Sequence, residues 1–116
     1  TRDRERAKRL ILLPTVDVVR ADVHDPAALA AVISGCDAVI NLVGVLHDAR
    51  GPRGFAAAHV ELARKLVAAC RDSGVRRLLQ MSAVAAAPDA PSAYLRSKGE
   101  AERIVRGSGL DWTIFR

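Results

Sequence analysis

Two short apolar runs constrain the fold of this chain more than any other feature. They are Ala38–Val43 and Leu78–Met81. Both are too short for a surface helix, and neither alternates apolar with polar residues as a half-exposed strand does. Such runs are typical of strands that are buried on both faces of a parallel sheet. We therefore expect a sheet of buried parallel strands joined by helices.

The segments around these runs alternate between strand and helix patterns. Asp25-Pro26 predicts a helix start, with an N-cap acid followed by proline at the first helical position, and Gly35 is expected to end that helix. The pattern predicts strands at Val16–Arg20 and Trp112–Phe115, and helices from Asp25 to Gly35, from Phe55 to Gly74 and from Ser92 to Arg106. Strand–helix alternation predicts an α/β fold with right-handed crossovers. Ligands bind beyond the carboxyl ends of such strands, where Asp22, Asn41–Gly44 and Ser82 fall.

Composition limits the classes of function. The 116 residues fit one domain. The net charge of +5 makes nucleic-acid binding one function to consider. We expect no nucleic-acid partner, because aromatic residues make up only 3% and are not interleaved with the basic ones. No apolar run approaches the length of a membrane span, and Thr1–Arg9 lacks a signal-peptide pattern. Cys36 and Cys70 are expected to be buried, reduced thiols in a cytoplasmic protein, and no metal-ligand spacing occurs.

The only tyrosine of the chain, Tyr94, precedes Lys98 by four residues. On a helix these two side chains lie on the same face, where a phenol and an ammonium can share one ligand. The ammonium also favours the charged form of the phenol, which is the form that can accept a proton. This pair is a candidate acid/base site if the rest of the chain binds a dinucleotide.

Several motifs in order resemble those of the extended and atypical short-chain dehydrogenase/reductase superfamily. The chain is most similar to the branch that contains the alpha-subcomplex subunit 9 of respiratory complex I and bacterial epimerase/dehydratase-like relatives. The resemblance rests on Ala21–Val23, Val39–Gly44, Gly74–Ser82, Tyr94–Lys98 with Glu100 and Glu102, and Leu110–Arg116. It covers essentially the whole of residues 1–116. It implies a partial Rossmann-type doubly wound parallel sheet that lacks its first two strands.

The resemblance also implies roles for individual residues. Asp22 would accept a hydrogen bond from adenine and Val23 would pack beside the ring, while Leu42, Val43 and Gly44 would run along the cofactor. Lys98 would hold the nicotinamide ribose and Tyr94 would be the general acid/base. Arg2, at the expected end of the family's second strand, would favour the 2′-phosphate, so that NADP(H) is expected over NAD(H).

The chain departs from the family pattern in two places. The substrate-orienting hydroxyl of the family aligns with Ala83, and Ser82 comes one residue early, so Ser82 completes the triad only if the loop shifts. The chain also contains no Gly-x-x-Gly-x-x-Gly turn, which binds the pyrophosphate at a helix N-terminus. We therefore expect an internal fragment without the Gly-rich start and the substrate region. Such a fragment would expose a strand edge or join its half-sheets, and would bind dinucleotide poorly.

Two hypotheses of function remain open at this point. The first is an NAD(P)-dependent oxidoreductase or epimerase acting on a hydroxyl or carbonyl substrate such as a nucleotide sugar, with His47-Asp48 as a candidate substrate contact. The second is a non-catalytic NADP(H)-binding accessory subunit, peripheral to the inner membrane in a respiratory complex. In both cases a homodimer is an open alternative.

Overall fold

A computed structural model of the chain describes residues 1, 3–49, 51 and 54–116. It contains a three-stranded parallel sheet in the order β1-β2-β3, made of Ala38–Asn41, Arg77–Met81 and Asp111–Phe115. The helices are α1 (Lys8–Ile11), preceded by a 3₁₀ turn at Glu5–Ala7, then α2 (Pro26–Ile33), α3 (Leu62–Asp72) and α4 (Ala93–Arg106). A π-helical segment, Ala56–Glu61, leads into α3. The predicted parallel α/β class is confirmed.

Local capping explains where two of the helices begin. The Asp25 carboxylate accepts a hydrogen bond from Ala27 N–H, with Pro26 as the first helical residue of α2. The Ser92 hydroxyl accepts from Leu95 N–H at the start of α4. Gly74 follows α3 with a φ of +73°, which glycine adopts without steric cost. These three boundaries agree with the sequence prediction.

Helix α3 packs against both α2 and α4, and α3 and α4 lie on one face of the sheet. Strand order follows chain order, so right-handed crossovers place α3 and α4 on the same side, where they contact each other. The core on this side has two parts. The first is made of Leu29, Ile33, Leu62, Leu66, Ala69, Cys70 and Val75, and the second of Val67, Leu78 and Val105. Cys70 is buried as predicted, whereas the prediction of a buried Cys36 is wrong, because Cys36 follows the end of α2 and is exposed. Among the described residues, no helix is both long and apolar enough to cross a membrane.

Two strand predictions need correction. The segment from 16 to 20 forms no strand; its end is bonded to Thr1, whose ammonium donates to Val19 O at 2.8 Å and whose carbonyl oxygen accepts from Ala21 N–H at 2.9 Å. β1 ends at Asn41 and is not buried on both faces, since Ile40 is 62% exposed. β1 pairs with β2 alone, and within the described chain no strand covers its other edge. Of the two sheet arrangements left open by the sequence, the described residues therefore show the one with a free strand edge.

Candidate functional site

Lys98 and Gly44 meet at the carboxyl end of the sheet. Lys98 is only 4% exposed, and its ammonium donates to the carbonyl oxygen of Met81, the last residue of β2, at 3.1 Å. Burial lowers the pKa of Lys98. A Cβ placed on Gly44 would lie 3.5 Å from Lys98 Nζ and 3.6 Å from His59 Nε2. The backbone that follows β1 therefore passes close to the lysine side chain, while the role of this loop in cofactor binding stays a prediction.

His59, to which the sequence analysis gave no role, lies at the centre of this site. It is 2% exposed, its Nε2 accepts from Val45 N–H at 3.2 Å, and its Nδ1 lies 2.8 Å from Ser97 Oγ. Burial, with a smaller contribution from the Lys98 charge, lowers the pKa of His59 from 6.5 to about 4. A signal was present in the sequence, because His59 falls on the same face of its helix as the buried Leu62, Ala63 and Leu66.

Tyr94 completes a small aromatic cluster beside the lysine. Its ring meets those of His59 and Phe55 edge-on, with centroids 5.6 and 5.7 Å apart. Phe55 and His59 stack at 5.6 Å. Because α4 is helical across 94 to 98, the predicted i, i+4 arrangement of the tyrosine and the lysine is present.

Ser82, the third predicted catalytic residue, is buried in the turn after β2. Its N–H donates to Phe115 O at 2.7 Å. Its hydroxyl has no hydrogen-bond partner among the described residues, yet it is close enough to Glu102 to help lower the pKa of that carboxyl. No hydrogen bond within the described residues joins Ser82 to Tyr94. Ser82 therefore lies on the Glu102 side of the turn, and its part in a triad stays a prediction.

Glu102 forms a buried ionic cluster that the sequence analysis did not predict. The carboxylate is 1% exposed and receives Arg116 Nε at 2.9 Å and Nη2 at 2.6 Å, with Arg106 Nη2 at 3.0 Å. Burial acts to raise the pKa of Glu102, but the hydrogen bonds and charges of these arginines outweigh it and hold that pKa below its ordinary value. The cluster ties α4 to the end of β3.

The residues predicted on the adenine side are only partly brought together. Val23 shares an apolar hollow of about 160 Å³ with Asn41 and Val43 beside β1. Asp22 is exposed, and its carboxylate accepts from His24 N–H at 3.0 Å, which forms a local turn. Leu42 is also exposed. Arg2, predicted to select the 2′-phosphate, lies outside the described residues.

Two further groups can be placed. Asn41 donates to Gln80 across β1 and β2 at 2.9 Å, and this buried amide pair was not predicted as a unit. His47 is exposed, while the carboxylate of Asp48 accepts from Phe55 N–H at 2.9 Å and so caps the following helix. Within the part of the chain that the structure describes, no group of three or more acidic, His or Cys residues could hold a metal ion.

Comparison with known proteins gives one family match and several relatives. A family model described as NAD(P)H-binding matches residues 1–116. An NAD(P)H azoreductase of Xenophilus azovorans is 28% identical over 101 residues, and this match covers 87% of the present chain and 32% of the azoreductase. The Arabidopsis thaliana mitochondrial NADH dehydrogenase [ubiquinone] 1 alpha subcomplex subunit 9 is 31% identical over 84% of the chain and 24% of its own length.

A structural comparison agrees with the fold. A Bacillus halodurans protein assigned as an NAD-dependent epimerase/dehydratase superposes with a TM-score of 0.83 at 24% identity, over 100% of this chain and 55% of that structure. At this level of identity the likeness shows a common Rossmann-like fold. The chain spans between about a quarter and about a third of the curated relatives named above.

Proposed function

Because the chain belongs to the NAD(P)H-binding family, we propose that Gly44, Lys98 and Tyr94 form the nicotinamide end of a dinucleotide site in an oxidoreductase or epimerase. The observation that carries the proposal is the close approach of the Gly44 backbone to the buried Lys98 ammonium. A side chain at residue 44 would fill this space, so glycine leaves room for a ligand over the lysine.

The donors present at this place suit a ribose. Lys98 has three N–H donors, and one is used by Met81 O. None of the ion pairs among the described residues includes Lys98, so that its remaining donors and its charge are available to ligand hydroxyls. On the adenine side, the apolar hollow at Val23 and Val43 supports a flat apolar group, and Asp22 directly precedes Val23 in the sequence.

Tyr94 is the proposed proton donor and acceptor. When bound, the nicotinamide supplies or takes up the hydride, while the Tyr94 phenol gives or receives the proton at the substrate oxygen. The Lys98 ammonium lies one helical turn away on the same face of α4, where it can contact the same ligand. The proposed substrate is a small molecule with a hydroxyl or carbonyl group, such as a nucleotide sugar, and NADP(H) is the proposed cofactor if Arg2 contacts the 2′-phosphate.

The second candidate function is a non-catalytic NADP(H)-binding subunit of a respiratory complex. Two observations favour it: the similarity to subunit 9 of NADH dehydrogenase and the position of the Ser82 hydroxyl on the Glu102 side of its turn. Under this proposal the protein is cytoplasmic or peripheral to the inner membrane. Homodimer formation is proposed only as a further property to be measured by sedimentation.

The test is titration of NADPH, up to millimolar concentration, into the ¹⁵N-labelled chain. We expect shift changes at Gly44, Val45 and the first turns of α4, which are lost in Lys98→Met and kept in Lys8→Met, a matched change at an exposed lysine. Shift changes that persist unaltered in Lys98→Met would refute the proposed site. Tyr94→Phe separates the two functions: if it abolishes substrate-dependent NADPH oxidation while binding is kept, the enzyme is supported. No turnover in either form supports the binding subunit.

A further inference from the structure

His59 connects two parts of the site that are far apart in sequence. Val45, in the loop after β1, is 14 residues before it, and Ser97, on α4, is 38 residues after it. The ring is buried and is held on the π-helical segment between Phe55 and Tyr94. A π-helical turn is uncommon and is found frequently at functional sites.

The hydrogen bonds determine which nitrogen bears the proton. Val45 N–H can only donate, so Nε2 must accept and is unprotonated. The proton is then on Nδ1 and is donated to Ser97 Oγ, whose own hydroxyl donates to Tyr94 O at 2.7 Å. The bonds therefore run in one direction, from the Val45 amide through the neutral imidazole and the Ser97 hydroxyl to the Tyr94 carbonyl.

The surroundings favour this neutral form. The titratable side chains that face the ring are Lys98 and Tyr94, both on α4. A proton on Nε2 would remove the acceptor of Val45 N–H and place a second cation close to Lys98. The carboxylate of Asp48, which precedes this helical segment, is engaged at Phe55 N–H.

We infer that His59 is a positioning residue that, as its neutral Nδ1–H tautomer, fixes the Gly44–Val45 backbone against the turn of α4 that bears Tyr94 and Lys98. The consequence for cofactor binding rests on the proposed function, whereas the hydrogen-bond chain does not. If His59 acts in this way, losing these hydrogen bonds weakens NADPH binding even where the domain stays folded. The loss of one such hydrogen bond corresponds to roughly fivefold weaker binding.

The first experiment needs no cofactor. Long-range ¹H–¹⁵N spectra of the imidazole rings should contain one ring with a protonated Nδ1 and an unprotonated Nε2 at pH 5.5. This signal should disappear in His59→Phe and stay in His47→Phe, a matched change at an exposed histidine. A proton on Nε2 of His59, or a His59 ring that is protonated on both nitrogens at pH 5.5, would overturn the inference whether or not NADPH binds.

The second experiment compares NADPH affinity in three variants. His59→Phe keeps a ring but removes both hydrogen bonds, while His59→Gln restores an amide acceptor and donor. Ser97→Ala removes the hydroxyl that links the imidazole to the Tyr94 carbonyl, and it leaves the ring itself unaltered. We expect roughly fivefold or greater weakening in His59→Phe and Ser97→Ala, with partial rescue in His59→Gln.

The outcomes separate the two proposals. Equal affinity of the wild type, His59→Phe and Ser97→Ala would refute the positioning role of His59. If His59→Phe does not fold, Ser97→Ala alone decides. Absence of NADPH binding to the wild type counts against the proposed function, and the imidazole spectra then still decide whether the hydrogen-bond chain exists.

Discussion

The burial of His59 makes the stability of the domain depend on pH between about 4 and 6.5. The pKa of His59 is lowered to about 4 in the folded chain, against 6.5 for the ordinary group. Between these two values the unfolded chain binds a proton that the folded chain does not bind. Stability is therefore full above pH 6.5 and falls as the pH is lowered through this window.

The size of the effect follows from this difference. From 6.5 to about 4, at 1.36 kcal/mol per pH unit, the complete loss amounts to about 3 kcal/mol. About 2.5 kcal/mol of it is already lost at pH 4.5, by the same linkage. For a domain of this size, that is a decrease of about 1–2 M in the midpoint of urea unfolding.

The assay is urea unfolding between pH 7.5 and 4.5, with the wild type and His59→Gln measured side by side. Glutamine does not titrate, so the difference in free energy of unfolding between the two proteins isolates His59 from the carboxyl groups. We expect the advantage of the wild type to shrink by about 2.5 kcal/mol over this range. Curves that run parallel from pH 7.5 to 4.5 would refute the assignment of a buried neutral imidazole.

Three further changes test the packing around the site. A Cβ at residue 99 would lie 2.6 Å from Pro88 N, so Gly99→Ala should cost about 1–3 kcal/mol in urea unfolding, while Gly107→Ala, with 3.4 Å to its nearest neighbour, should cost clearly less. Glu102→Gln should lower stability by about 1–3 kcal/mol at pH 7, and this difference should shrink as the pH falls below the ordinary glutamate range toward the lowered pKa of Glu102; a difference that stays constant over the whole acidic range in which the protein is folded would contradict the charge-based account. Ile40→Lys should leave stability within about 0.5 kcal/mol and reduce self-association in sedimentation, because a charge on an exposed strand edge opposes pairing; unchanged self-association would show that this edge is not where copies associate.

Sequence patterns predicted the elements that are determined locally. α2 and α4 begin at Asp25 and Ser92 because each cap bonds to a backbone N–H two or three residues away. The Tyr94–Lys98 pair follows from helical geometry alone. In contrast, an apolar run such as the one at Ala38 becomes a buried strand only if other elements cover its edges and faces. The run itself does not specify those neighbouring elements.

The residues that were missed depend on distant partners. His59 acquires its role from Val45 and Ser97, and Glu102 from Arg116, 14 residues later. These partners lie on other elements than the residues they bind, so the periodicity of a single helix could not have indicated them; only the contact of Glu102 with Arg106, four residues later on α4, follows from helical geometry. A polar residue on an otherwise apolar helix face was the one local signal, and it is equally typical of a histidine without function.

The two ends of the proposed dinucleotide site are held by different kinds of interaction. At the nicotinamide end, Lys98 bonds to the last residue of β2, and His59 joins the loop after β1 to α4, so these groups are fixed by bonds between separate elements. At the adenine end, Asp22 is shaped by its own turn, and the bond from Lys65 to His24 O at 2.6 Å connects that turn to α3. Because the first end is buried and bonded between several elements, its geometry is set by the packing of the sheet and its helices. The geometry of the second end depends on one exposed turn beside an open strand edge, so we expect it to be the part of the site that adjusts to a ligand.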